Sequence, residues 1–331
     1  MAERVAFVSS VEELLAGATA REHFTAGDGK SGARFERITI DGTSHVVKFQ
    51  QLAQDWIMRA TGDLACRSLV VWRSGLLAEL PDCIDHCVVG VAATDGGAAI
   101  LMRDVGPWLV PEGDEPIPLP AHLRFLDHMA ALHARFWGWQ DDIGLMPLST
   151  RYLEFSPSVA ECERARGFPD PVTRVIDEGW RRLPTVAPRA ADIVLPLTSD
   201  PDPLVRALEA TPTTFVHGDW KLGNLGSHPD GRTILLDWAV PGTAPACADL
   251  AWYLALNRAR LPIGHTKDDA IVSYREALER HGVETEPWWD RQLTLCLLGA
   301  MVQFGWEKAF DETKERAWWE EHVVAGSRWL S

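Results

Sequence analysis

The sequence predicts a two-lobed α+β protein, with a small N-terminal lobe on an antiparallel sheet and a large, mainly helical C-terminal lobe. Three observations carry that expectation. β-prone runs joined by Asp-Gly and Gly-Gly turns crowd the first hundred residues, a proline-rich run interrupts the chain over 104–120, and apolar residues then recur at helical spacing. A length of 331 residues agrees, since domains of about 150 residues make it about two. The expected division is 1–103, a connecting segment 104–120, and 121–331.

In the first lobe, Arg34–Ile40 and residues 45–50 are strands joined by Asp41-Gly42-Thr43-Ser44, an Asp-Gly hairpin signal. A helix is expected over 63–80, stopped by Pro81, then strands over 86–92 and 98–103 about the turn Thr94-Asp95-Gly96-Gly97. The prolines of 104–120 suit a linker. Beyond it, helices are expected over 121–137, 248–259, 268–280, 288–308 and 312–329, broken by one β-hairpin with strands at Thr214–Val216 and 233–240. The stretch 138–212 is the least readable, rich in arginine, proline and short helical pieces.

Composition excludes several classes. Charged residues are 24% and hydrophobic residues 46%, which is globular rather than disordered. A net charge of −15 argues against binding to nucleic acid, because phosphate neutralisation needs a basic excess. The six cysteines form no CxxC pair and read as free thiols in a reducing compartment. The N-terminus lacks a basic start and apolar run, and the longest nearly uncharged stretch, 293–306, is too short and too broken to span a bilayer. A soluble, cytoplasmic protein without a membrane partner is expected. The fifteen tryptophans read mainly as core.

The most informative stretch is 215–240, FVHGDWKLGNLGSHPDGRTILLDWAV. His217-Gly218-Asp219 is followed five residues on by Asn224, then by a turn at Pro229-Asp230-Gly231, and Asp237 ends the apolar run 234–236. Phosphoryl transfer asks a protein mainly to position groups and neutralise charge. A loop carboxylate can accept a hydroxyl proton. An amide oxygen and a second carboxylate, returned beside it by a short hairpin, are hard ligands for Mg²⁺.

These residues resemble the aminoglycoside phosphotransferase and choline kinase family, which has the protein-kinase-like fold. Its H-G-D-x-x-x-x-N motif falls on His217, Gly218, Asp219 and Asn224, and its later metal-binding aspartate on Asp237. The resemblance implies Asp219 as catalytic base and Asn224 and Asp237 as Mg²⁺ ligands. Lys221 stands where protein kinases carry a lysine that touches the transferred phosphate. His217 reads as a brace for the loop. Asp249, in the D-L-A run after the metal aspartate, reads as an anchor for the loop and a helix cap.

The small lobe supports the same resemblance. Gly27, Gly29 and Gly32 form a GxGxxG string. A dinucleotide site would need a helix directly afterwards, whereas a strand follows, so a flap over ATP phosphates fits better. A Walker A loop fails, because Phe24 stands where its first glycine belongs. Lys48, mid-strand after the flap, matches the phosphate-binding lysine of V-A-I-K. The helix glutamate that should pair with it aligns with Ser68, leaving Asp63 and Glu79 as unassigned substitutes. Backbone near Met102 to Asp104 is expected against the adenine edge.

The expected activity is transfer of the γ-phosphate of ATP, or of GTP, to a hydroxyl of a small molecule, first an aminoglycoside or amino sugar. A choline-like cation, a neutral sugar, a macrolide and homoserine stay open as acceptors. So does a non-catalytic nucleotide-binding role, and, on the glycine string alone, a nicotinamide-dependent oxidoreductase.

Overall fold

The computed structural model describes residues 8, 10–24, 32–257 and 260–330. The fold is mixed α+β and protein-kinase-like, and the chain forms two compact units. The first takes the described residues up to Asp114 together with Ile143–Leu145 and Leu222–Val240. The second takes Glu115–Asp142, Met146–Lys221 and Pro241 onward.

The first unit opens with α1 (Val11–Leu14) and carries strands β1 (Ala18–Phe24), β2 (Arg34–Ile40) and β3 (Thr43–Gln51). Helices α2 (Trp56–Ala60) and α3 (Arg67–Ser74) follow, then β4 (Ile84–Asp85), β5 (Val88–Thr94) and β6 (Gly97–Arg103). The main sheet runs β1-β2-β3-β6-β5, antiparallel throughout. Period-two alternation sorts its faces. Val47, Ala99 and Leu101 pack on one side with Ile38 and α1, while Ala98 and Ile100 pack on the other with Leu69 of α3 and Met58 of α2. Lys48, next to Val47, therefore points away from the α1 face.

Two expectations need correction here. β1 was not foreseen; its residues 19–23 are exposed on both faces, so it carries no apolar alternation to announce a strand. The helix expected over 63–80 is cut to α3 because Gly75, at φ 80°, turns the chain left-handed into a 3₁₀ turn, Leu76–Glu79.

The second unit is helical. It contains α4 (Leu119–Arg135), α5 (Leu148–Leu153), α6 (Pro157–Ala165), α7 (Pro171–Val186), α8 (Pro188–Leu197) and α9 (Asp202–Glu209). After the strands come α10 (Cys247–Leu256), α11 (Lys267–Arg280), α12 (Trp289–Lys308) and α13 (Thr313–Ser327). Residues 138–212, expected to carry short helical pieces, hold five helices, the longest of them the sixteen-residue α7. Pro157, Pro171, Pro188 and Pro203 sit in first turns, where the missing N–H is no loss, and so mark starts, while Pro184 and Pro196 lie inside α7 and α8. Buried α12 packs against α5, α7, α8, α9, α10 and α13. Gly179 of α7 permits one such approach, since a Cβ there would lie 2.1 Å from the Trp306 carbonyl oxygen.

The expected hairpin is also corrected. β7 (Thr214–Val216) pairs with β10 (Gly242–Ala244), whereas β9 (Thr233–Leu235) pairs with β8 (Leu225–Ser227) and, in parallel, with β4. The Pro229-Asp230-Gly231 turn is the physical reason, because it folds β9 back onto the strand immediately before it.

Two buried polar sites of the second unit have consequences for stability. Lys308 is 1% exposed, with Nζ donating to the Ala255 carbonyl and lying 3.2 Å from Glu307 and 3.7 Å from Asp311. Lys308→Met removes a buried cation from among these oxygens and is expected to cost about 3 kcal/mol, the lower range for breaking a buried pair, read as a drop in urea midpoint. Buried His122 has Nδ1 2.8 Å from the Tyr253 hydroxyl and its ring against His265. Burial, helped by the His265 charge, lowers it from 6.5 to about 4. It is neutral in the fold and protonates on unfolding, so its contribution is present above about pH 6.5 and is lost as pH falls towards 4. The loss approaches about 3 kcal/mol, and His122→Gln should flatten the dependence of urea stability on pH across that window.

Candidate active site

In the first unit, the β8–β9 hairpin sets two oxygen donors side by side. Leu225 pairs with Leu235, and the Leu236 N–H donates to the Asn224 carbonyl at 2.9 Å, so Asn224 and Asp237 leave adjacent ends of the hairpin. Asn224 closes a short 3₁₀ turn, Leu222–Asn224, and is buried. Asp237 has φ 63°, a left-handed conformation that aspartate tolerates better than most residues. Its Oδ1 accepts a charge-assisted bond of 2.8 Å from Lys48 Nζ, whose side chain is 7% exposed.

The lysine's partner is thus Asp237. Asp63 instead serves the start of α3, accepting from the Arg67 N–H at 2.9 and 3.0 Å; burial pushes its carboxyl up, offset in part by Arg67. Glu79 is exposed. Ser68, at the position aligned with the helix glutamate, donates to the Trp238 carbonyl at 3.2 Å and so ties α3 to the segment carrying Asp237.

Met102 lies within β6 between Val46 of β3 and Val88 of β5, so ladder bonds take up its backbone. The Arg103 and Asp104 N–H groups donate to Cys87 and Ser44. The chain leaves the sheet after Asp104, making Val105 the first residue beyond those bonds. Gly27 and Gly29 lie outside the described residues. Gly32, at φ 88°, sits so close to Gln54 that a Cβ would lie 2.6 Å from its carbonyl oxygen.

In the second unit, the loop after β7 is held from behind. The Asp249 carboxylate accepts the N–H groups of His217 and Gly218, each at 2.9 Å, and lies 3.3 Å from His133 Nε2. Burial alone would push its carboxyl up, but the bond and charge of His133, with Arg151 and His217 nearby, hold it below the usual range. Asp249 is therefore an anchor and not a helix cap: Ala246 takes the N-cap position of α10. His217 braces the loop, its Nδ1 accepting the Asp219 N–H at 3.1 Å.

Asp219 is 8% exposed. Its Oδ2 lies 3.0 Å from Lys221 Nζ, and its Oδ1 accepts a 2.9 Å bond from Trp252 Nε1. Sequence reasoning missed this indole, whose signal was its place one helical turn after Asp249. It also missed Arg151, which donates to the Gly218 carbonyl from within the least readable stretch, 138–212.

The chain resembles known proteins in sequence and in fold. The sequence model of the phosphotransferase enzyme family matches residues 107–290, more than half of the chain. No curated protein sequence matches it. Among solved structures, the choline kinase LicA from Streptococcus pneumoniae has 12% identity and a TM-score of 0.51, over 96% of each chain. LicA in complex with AMP gives 12% and 0.53, over 97% of this chain and 98% of that one. A microcompartment-associated aminopropanol kinase gives 13% and 0.50, over 93% and 90%. These structural matches speak for the fold. Among the described residues no helix is long and apolar enough to cross a membrane. With the family match spanning the H-G-D-x-x-x-x-N loop and its hairpin, this chain belongs to the phosphotransferase enzyme family, small-molecule kinases that place phosphate on hydroxyl groups.

Proposed function

We propose that the protein transfers the γ-phosphate of ATP to a hydroxyl of a small amine-bearing molecule, first an aminoglycoside or amino sugar and next an amino alcohol. The observation that carries this reading is the Lys48–Asp237 pair, set beside Asn224 by the register of one hairpin. In the reaction the acceptor oxygen bonds to the γ-phosphorus, the bond to the bridging oxygen of ADP breaks, and the hydroxyl proton goes to the Asp219 carboxylate.

Lys48 is the cation for the phosphates, and the flap role expected of the glycine string rests, among the described residues, on Gly32. Lys221 meets the transferred phosphoryl group. The adenine edge, expected against backbone from Met102 to Asp104, is assigned instead to Val105, since the sheet's own bonds take up Met102 and the Arg103 and Asp104 N–H groups. An amide oxygen and a carboxylate suit a hard cation, and no group of three or more His, Cys, Asp or Glu fit for a metal occurs among the described residues. Two protein donors are the usual share for Mg²⁺, which keeps water and phosphate oxygens as its other ligands. Asn224 and Asp237 would hold it, and there it neutralises phosphate charge.

The preference for an amine rests on the net charge of −15 and on the acceptors named for the similar folds, choline and aminopropanol. The test is nucleoside diphosphate release from ATP and from GTP with Mg²⁺. The acceptor panel holds aminoglycosides, amino sugars, amino alcohols including choline, neutral sugars and macrolides, with Asp219→Asn as the blank. Release above the blank with an amine-bearing acceptor is expected. Release with neutral sugars or macrolides alone would overturn the acceptor class, and silence across the panel with nucleotide still bound would favour a binding role.

A further inference from the structure

We infer that Trp252 is a positioning residue for Asp219, fixing which carboxylate oxygen meets the acceptor, and that Arg151 clamps the indole in place. This rests on the reading of Asp219 as the base. A carboxylate turns about its Cβ–Cγ bond, and a base must present one oxygen in one direction. The indole N–H is a donor only, so it ties Oδ1 at 2.9 Å without competing for the proton. Oδ2 lies 3.0 Å from Lys221 Nζ on a side chain 28% exposed, whereas Trp252 is 4% exposed, so the acceptor's approach is from the Oδ2 side.

The indole itself is held on several sides. The Arg151 guanidinium lies over its ring, 4.5 Å from the centroid. Phe304 meets it edge-on at 4.7 Å and 72°, and Phe155 packs at 6.1 Å. Arg151 is 3% exposed and donates to the Gly218 carbonyl, so one side chain grips both the loop before Asp219 and the ring that orients it. Its own carbonyl accepts from Gln303 of α12 at 3.1 Å. Asp249 and Trp252 stand three residues apart on α10 and share a face. One turn of helix thus fixes the backbone of the loop through the first and its carboxylate through the second.

Plain space-filling by the ring predicts that phenylalanine would serve as well. The positioning role predicts otherwise. Trp252→Phe keeps the ring and loses the N–H. It should lower kcat by about 10- to 100-fold, the worth of one hydrogen bond to a charged group, with KM for ATP and Tm little changed. ADP release is measured with the best acceptor of the panel and with water. Arg151→Lys, which keeps charge but loses the stacked fork, should give a smaller loss of the same kind. A second readout needs no turnover: the indole N–H resonance missing from the Trp252→Phe spectrum should shift in Asp219→Asn. Wild-type turnover in Trp252→Phe with Asp219→Asn inactive, or an indole resonance indifferent to Asp219→Asn, overturns the inference. Wild-type turnover in Asp219→Asn overturns the base assignment itself.

Discussion

Asp219→Asn lowers turnover by about 100- to 10,000-fold, the usual worth of a general base, and leaves nucleotide affinity within a few-fold of wild type. The substitution is nearly isosteric. An asparagine oxygen can still accept from the Trp252 indole, and the Asp249 anchor acts on the backbone of His217 and Gly218 instead of on this side chain. What disappears is the proton acceptor, together with the negative partner of Lys221 at 3.0 Å. Stopped assays of ADP release give kcat, and calorimetric titration with ADP gives the affinity. A decrease of less than about threefold in kcat would remove Asp219 from the chemistry, because effects that small are within the reach of a single repositioned hydrogen bond. Equal losses in kcat and in ADP affinity would point to a collapsed loop, and an unchanged Tm would separate that case.

The parts of the fold legible in the sequence were those whose signal is local. The Asp41-Gly42 turn and the alternation in β2, β3 and β6 announced the centre of the sheet. The spacing from His217 to Asp237 announced the two ends of the β8–β9 hairpin, although the strand assigned as its partner was the wrong one. What stayed hidden depended on contacts distant in sequence. Asp237 is 189 residues from Lys48, and nothing in the helix over which a glutamate was sought could reveal that the lysine turns to the hairpin. Trp252 lies 33 residues from Asp219 and looked like one more core aromatic among fifteen. In 138–212 short helical pieces were legible but their bounds were not, because Pro157, Pro171, Pro188 and Pro203 open helices only by their place in the first turn, which composition does not record.

The same hairpin makes Asp237 the second position at which a single atom change has a large consequence. Asp237→Asn should abolish the gain in nucleotide affinity that Mg²⁺ confers. Loss of a residue merely supporting a metal ligand costs about 10- to 100-fold in metal affinity, so loss of a ligand's charge should exceed about 100-fold. Asparagine is the informative replacement because it tolerates φ 63° as aspartate does, whereas alanine adds backbone strain of about 1 kcal/mol. Lys48 bears on the result in the opposite sense. With its 2.8 Å partner neutralised, a lysine side chain only 7% exposed gains attraction for any phosphate brought to it. Affinity for ADP in EDTA should therefore hold or rise in Asp237→Asn while affinity for ADP with Mg²⁺ falls to the same value. Titration of both proteins under both conditions tests this, and a Mg²⁺-dependent gain that survives in Asp237→Asn excludes the aspartate as a ligand. Asp237→Ala should show the same loss of Mg²⁺ dependence with a lower Tm, so that only the asparagine variant isolates charge from backbone.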